Sequence, residues 1–186
     1  MKSNDSTYVS KHLSLVSELS KVYLSKEFDE SLKLIRECHQ NGNWVFLGGN
    51  GGSQAMIEHF ATDWNKGINQ LTGQPLKSMV LNSNISLVTA IANDLSYKES
   101  LSYNLKNYGT ARDLLVLVSS SGTSPNILDA VRVANELKMN SILLSGFGKK
   151  TAPANVTVEI NVESDDYQVI EDIHTIYGHL VLKAFA

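Results

Sequence analysis

Val9, Leu13, Val16 and Leu19 recur at helical spacing near the start of the chain. Leu32, Leu34, Ile35 and Cys38 do so again, just before Asn41-Gly42-Asn43, a trio that tolerates left-handed backbone and stops a helix. The first 42 residues therefore predict a helical hairpin. From Trp44 onward the pattern changes to short apolar runs separated by amphipathic stretches. Trp44 to Leu47, Ser78 to Leu81, Leu114 to Val118, Ile142 to Leu144 and Val156 to Val162 predict five strands. Ser53 to Lys66, Ile85 to Asn93, Tyr97 to Tyr108, Ser124 to Leu137 and Asp165 to Phe185 predict helices. The run Leu-Leu-Val-Leu-Val is apolar throughout, as in strands buried on both faces. Strand alternating with helix implies the α/β class: a three-layer, doubly wound, five-stranded parallel sheet preceded by the N-terminal hairpin. We read residues 1–186 as one domain, with residues 1–42 as the hairpin and residues 43–186 as the α/β core.

In such sheets, ligands bind outside the carboxyl ends of the strands, where the next helix begins. Two turns at such places are rich in small residues. Gly48-Gly49-Asn50-Gly51-Gly52-Ser53 follows the first strand, and Ser119-Ser120-Ser121-Gly122-Thr123-Ser124 follows the third. Glycines admit close approach of the backbone, a helix start offers free N–H groups, and hydroxyls add neutral donors. Together they suit a small phosphate monoester, although a Gly-rich turn can also serve only tight packing, with Ser124 as a helix cap. The first turn has Gln54 where a third glycine of a dinucleotide fingerprint would stand. No P-loop or G-x-S-x-G elbow is found either.

Composition narrows the partners. The 186 residues carry 16 Lys plus Arg against 19 Asp plus Glu, a formal charge of -3, which leaves no basic excess for nucleic acid or an anionic membrane surface. The start is polar and no apolar stretch approaches the roughly 20 residues needed to span a bilayer, so a cytoplasmic location is expected. The single cysteine, Cys38, reads as a small apolar residue on the second helix. His12 and His39 read as surface residues, His174 as packing or capping within the last helix, and Lys66, Lys149 and Lys150 as solvated charges.

The remaining chemistry is in two helices. His59 and Asp63 are four apart and share a face. Glu171 and His179 are eight apart, about 80° around a helix, so both can face one cleft. Two imidazoles and two carboxylates suit zinc or another divalent ion, or acid–base work beside a carbonyl.

Gly49-Asn50-Gly51-Gly52-Ser53 with His59-Phe60-Ala61, then Ala92-Asn93-Asp94, then Ser119 to Asn126, resemble the sugar-isomerase (SIS) domain. The resemblance runs on through Leu143-Leu144-Ser145-Gly146 and the final helix from Glu171 to His179, with the phosphoheptose isomerases as close relatives. It implies the flavodoxin-like SIS fold and conversion of sedoheptulose 7-phosphate to a glycero-manno-heptose 7-phosphate for surface-glycan synthesis. Ser119, Ser120, Ser121 and Ser124 would hold the phosphate, while Asn50, Gly51, Gly52, Ser53, Asn93 and Asp94 would line the substrate cleft. His59, Asp63, Glu171 and His179 would bind a divalent metal, zinc by resemblance, with Asp63, Glu171 and His179 as the catalytic groups. The resemblance also implies a homotetramer with sites at subunit interfaces.

Two positions depart from the family pattern. Asp63 stands where a glutamate is usual, and Glu171 where a glutamine is usual, so the carboxylate role is shifted from one helix toward the other. The segment from Gly67 to Gln74 lacks an arginine expected near the sugar cleft, which leaves room for a different sugar. The alternative is a non-catalytic SIS module that binds a sugar phosphate or serves as a tetrameric scaffold for a replication-initiation protein. Retention of His59 and His179 argues for the enzyme.

Overall fold

The chain turns where Gly42 permits it. This residue takes φ 65°, and its N–H reaches the carbonyls of Cys38 and His39. The computed structural model describes residues 5–148 and 155–186; Lys149 and Lys150 lie outside the described residues. Among them α1 spans Asp5–Leu19 and α2 Lys26–Asn41, joined by a 3₁₀ segment, Ser20–Leu24, and by Ser25, which accepts the Phe28 N–H as the cap of α2.

The core follows in the order β1 (Val45–Gly49), α3 (Gly51–Thr62), α4 (Ile68–Thr72), β2 (Ser78–Val80), α5 (Ile85–Asp94), α6 (Ser102–Tyr108), β3 (Leu114–Val118), α7 (Pro125–Glu136), β4 (Asn140–Gly146), β5 (Val158–Val162) and α8 (Tyr167–Lys183). Five parallel strands among the described residues pair in the order β2-β1-β3-β4-β5. Alternate side chains feed two cores, as the two-residue strand period requires. Val45, Leu47, Leu114, Val116 and Val118 pack with residues of α2, α3 and α8. Phe46, Leu115, Leu117 and Leu143 face α6 and α7 on the other side. The predicted hairpin and doubly wound sheet are both present.

Three elements differ from expectation. The helix after β1 starts two residues early and does not end at Lys66: a π-helical stretch, Asp63–Gly67, joins α3 to α4. The expected helix from Tyr97 to Tyr108 is broken into a 3₁₀ turn, Tyr97–Glu99, capped by Ser96, and α6. Strand β1 continues through both glycines because Gly48 and Gly49 stay in register with Leu117 and Val118. That last pairing matters for the site. It brings the turns that follow β1 and β3 side by side at the point where the winding of the sheet reverses, the usual crevice of this topology.

Candidate active site

The first turn needs glycine at one position in particular: Gly51 opens α3 with φ 53°. Asn50, expected to line the cleft, bridges to the start of the helix after the second turn. Its Nδ2 donates to Asn126 Oδ1 at 2.9 Å, and its Oδ1 accepts from Asn126 Nδ2 at 2.7 Å and from the Tyr97 hydroxyl at 2.9 Å. Asn126 also donates to Ser100 Oγ. Sequence reading did not single out Tyr97 or Asn126, although Asn126 closes the second motif and Tyr97 follows Asn93-Asp94 by three residues. Asn93 and Asp94 are exposed at the end of α5, where Asn93 Nδ2 donates to Asp94 Oδ1 at 2.8 Å. Ser53 is buried within the first turn of α3.

The second turn is wound for donors. Gly122 takes φ 65° and its N–H reaches the Ser119 carbonyl and hydroxyl, while the Thr123 N–H meets Ser121 Oγ. Ser124 stands at the start of α7 without a side-chain cap bond, so capping does not explain it. Ser120 is buried, and its hydroxyl has no partner among the described residues. Such an orphan costs about 1–3 kcal/mol, a cost that an incoming phosphate oxygen would remove.

Further along the same face, α3 and α8 come together. A Cβ at Gly178 would overlap the Phe60 ring, and Trp64 Nε1 donates to the Gly178 carbonyl at 3.1 Å. The residues next to these contacts are His59, Asp63 and His179. Asp63 Oδ2 lies 3.4 Å from His59 Nε2 and 3.9 Å from His179 Nε2, and the two imidazoles meet edge to face at 5.2 Å. One ligand atom from each of the three fits within 4.8 Å of the others. Two imidazoles and a carboxylate, half exposed on one side, fit a zinc-type site with an open position. Glu171 is outside that group: its Oε1 lies 3.0 Å from where a Cβ at Gly52 would stand, at the mouth of the first turn. His59 follows Gly51, and His179 follows Glu171, by eight residues each, a rise of about 12 Å along either helix. The described residues thus hold one acid at the turns and three ligand groups lower on the α3–α8 seam.

Of the two histidines expected at the surface, His12 is about a third exposed and His39 is not, while His174 packs inside the last helix as expected. His39 is buried, bonded to the Gln74 carbonyl and edge-on to Phe185, because the end of α2 is covered by the Gln74 segment and the C-terminus. His12 holds Asp172 at 2.7 Å and so ties α1 to α8. His174 is fully buried, and burial pushes its pKa down to about 4, against a partial upward pull from its bond to the Ser145 carbonyl. Cys38 is in the core and burial pushes its thiol up to about 12, in keeping with an apolar role. A cavity of about 500 Å³ beside Cys38, Arg112 and Asp113 opens at the amino-terminal edge of the sheet, the wrong end for strand-end chemistry.

A 2-1-3-4-5 parallel sheet, with a glycine turn after β1 and a serine turn after β3 at its switch point, defines a flavodoxin-like α/β class that binds ligands at the carboxyl ends of its strands. The chain belongs to the SIS domain family, whose profile matches residues 7–146. The phosphoheptose isomerase of Helicobacter pylori (strain ATCC 700392 / 26695) is 33% identical over 159 residues, covering 85% of this chain and 82% of that protein. Phosphoheptose isomerase 1 of Campylobacter jejuni (serotype O:2) is 33% identical over 151 residues, covering 81% of each. Among solved structures, a phosphoheptose isomerase from Francisella tularensis superposes with a TM-score of 0.88 at 25% identity, covering 100% of this chain and 98% of that one. The phosphoheptose isomerase GmhA of Neisseria gonorrhoeae gives 0.84 at 26% identity, over 97% and 95%.

Proposed function

We propose that this protein is a phosphoheptose isomerase, an aldose–ketose isomerase that converts sedoheptulose 7-phosphate to D-glycero-D-manno-heptose 7-phosphate. The observation that carries the reading is the buried, unpartnered Ser120 hydroxyl in a serine turn beside a glycine turn, within a chain similar to phosphoheptose isomerases over four-fifths of its length. Ser119, Ser120, Ser121 and Ser124 bind the phosphate, with the free N–H groups at the start of α7. Phosphate binding remote from the reacting carbons supplies energy that positions them.

His59, Asp63 and His179 would hold a divalent ion, zinc by its donor set. When bound, such an ion polarises the sugar oxygens at C1 and C2. The proton work belongs to the chain. Glu171, the carboxylate left outside the ligand group, takes a proton from C1 of the ketose while the C2 carbonyl oxygen gains one through His179. The resulting 1,2-enediol collapses to the aldose as Glu171 returns its proton to C2 and the O1 hydroxyl releases one through His179. Proton transfers of this kind contribute about 10²–10⁴-fold each. The His–Asp–His group stands about two helical turns along α3 and α8 from the glycine turn, and a homotetramer with sites at subunit interfaces would let a neighbouring copy supply that group to the substrate. The product would serve heptose synthesis for a surface glycan.

The direct test incubates the purified protein with sedoheptulose 7-phosphate and follows the aldose, with chelator and with added zinc. Conversion that chelator abolishes and zinc restores is expected. No conversion under any metal condition overturns the reading in favour of another sugar phosphate or a binding module.

A further inference from the structure

The last helix carries a third polar residue that the proposed reaction does not use. His174 is completely buried, its Nε2 lies 3.0 Å from the Ser145 carbonyl oxygen, and its Nδ1 is buried without a partner among the described residues. A carbonyl can only accept, so Nε2 carries the proton and Nδ1 is a bare acceptor in a dry core. Leucine would fill such a place without leaving a nitrogen unsatisfied, so packing alone does not account for the ring. Its hydrogen bond has to do something that an apolar side chain cannot.

What that bond holds is the end of β4. The residue after Ser145 is Gly146, whose N–H donates to the Ser120 carbonyl at 2.9 Å, and the Ser119 N–H donates to the Leu144 carbonyl at 3.0 Å. One helical turn before His174, Ile170 lies so close to Gly146 that a Cβ there would stand 2.7 Å from it. The Ser145 hydroxyl is fixed as well, donating to Glu159 and accepting from Asn161. An unbroken series of contacts therefore runs from α8, through Ser145 and Gly146, to the backbone of the serine turn.

We propose that His174 is a positioning residue: from α8 it holds the end of β4 to which the serine turn is tied, and so fixes the bound phosphate relative to Glu171 on the same helix. The inference rests on the reading of the serine turn as the phosphate site. Errors of about 1 Å between binding and reacting groups are enough to matter in such a geometry. His174 touches no reacting atom itself.

The test compares His174→Leu, which removes the donor, with His174→Gln, whose amide can still reach the Ser145 carbonyl. Hydrogen exchange over residues 119–124 and 145–148 reads the coupling without any ligand. Exchange there is expected to rise about tenfold in the leucine variant and to return toward wild type with glutamine, the loss of one hydrogen bond. In parallel, the inhibition constant of inorganic phosphate should rise about tenfold in the leucine variant, and kcat for sedoheptulose 7-phosphate should fall alongside a rise in KM, because the phosphate is then held out of register with Glu171. Unchanged exchange in a folded leucine variant, or a loss confined to kcat, overturns the proposal. If the leucine variant does not fold, His174→Asn, too short to reach Ser145, takes its place. Should the wild-type protein neither bind phosphate nor turn over the sugar, the functional reading fails, and the exchange comparison still decides whether His174 holds the turn.

Discussion

Glu171 and Asp63 divide two tasks that a single glance at the sequence assigns to both. The structure leaves Asp63 between two imidazoles and turns Glu171 to the glycine turn, so changing each should fail differently. Glu171→Gln should lower kcat by about 10²-fold or more while zinc affinity stays put; turnover equal to wild type refutes its role as base. Asp63→Asn should weaken zinc binding, measured by competition with a chromophoric chelator, and activity should recover at high zinc. His174 adds a prediction in pH. Its folded pKa is about 4, against about 6.5 in an unfolded chain, so between these values the unfolded state binds a proton that the folded state refuses. Stability is therefore lost as pH falls through that window, by about 3 kcal/mol, and the loss levels off below it. Urea unfolding of wild type and His174→Gln from pH 7 to pH 4 should show the variant with the shallower decline. At this scale the sequence was readable where residues repeat with a helical period, as His59 and Asp63 do. It was silent where partners meet only in space, as Asn50, Tyr97 and Asn126 do.

Between elements, the decisive contact is the crossing of α3 and α8. Gly178 lets the helices approach until Phe60 fills the space of a side chain, and Trp64 anchors the π-helical stretch to the Gly178 carbonyl. Stretches of this kind recur at functional sites because they re-aim one side chain, and here the stretch begins at Asp63. Gly178→Ala should push the helices apart at a cost of about 1–3 kcal/mol, with Tm falling by about 2–4 °C for each kcal/mol. Because His59 and His179 flank that crossing, zinc affinity should fall more than Tm alone explains. A variant that melts normally and binds zinc normally contradicts this account of the crossing. The strands and their order of appearance could be read from apolar runs, since a buried parallel strand has little else to be. The π-helical insertion could not, because Asp63-Trp64-Asn65-Lys66-Gly67 continues the helical pattern and only the packing of Trp64 reveals the extra residue. The break after Glu99 was hidden for the same reason, since Tyr97 to Tyr108 contains neither glycine nor proline.

Across the whole molecule, the question is how a substrate bound at the turns meets imidazoles about 12 Å down the helices. Helix α5 stands beside the crevice with Ile85, and Leu95 just past its end, more than half exposed, and α1 shows Tyr8 and Leu13 to the same degree. Apolar side chains left open on two helices are what association of identical chains would cover, and a closed symmetric assembly would repeat the same pairing at every site. In the proposed tetramer the serine turn of one copy faces the His–Asp–His group of the next. That arrangement predicts complementation. A variant lacking the turn hydroxyls, Ser121→Ala with Ser124→Ala, and a His179→Ala variant should each be nearly inactive alone. Unfolded together, refolded as a mixture and assayed on sedoheptulose 7-phosphate, they should regain about a quarter of wild-type activity, the fraction of random neighbour pairs that joins an intact turn to an intact His–Asp–His group. If turn and ligand group instead act within one chain, no mixed site is whole, and the mixture stays at the average of the two inactive parents. Sedimentation of the same mixture separates that outcome from simple failure to associate, since inactive tetramers count against the shared site, whereas monomers count against the assembly itself.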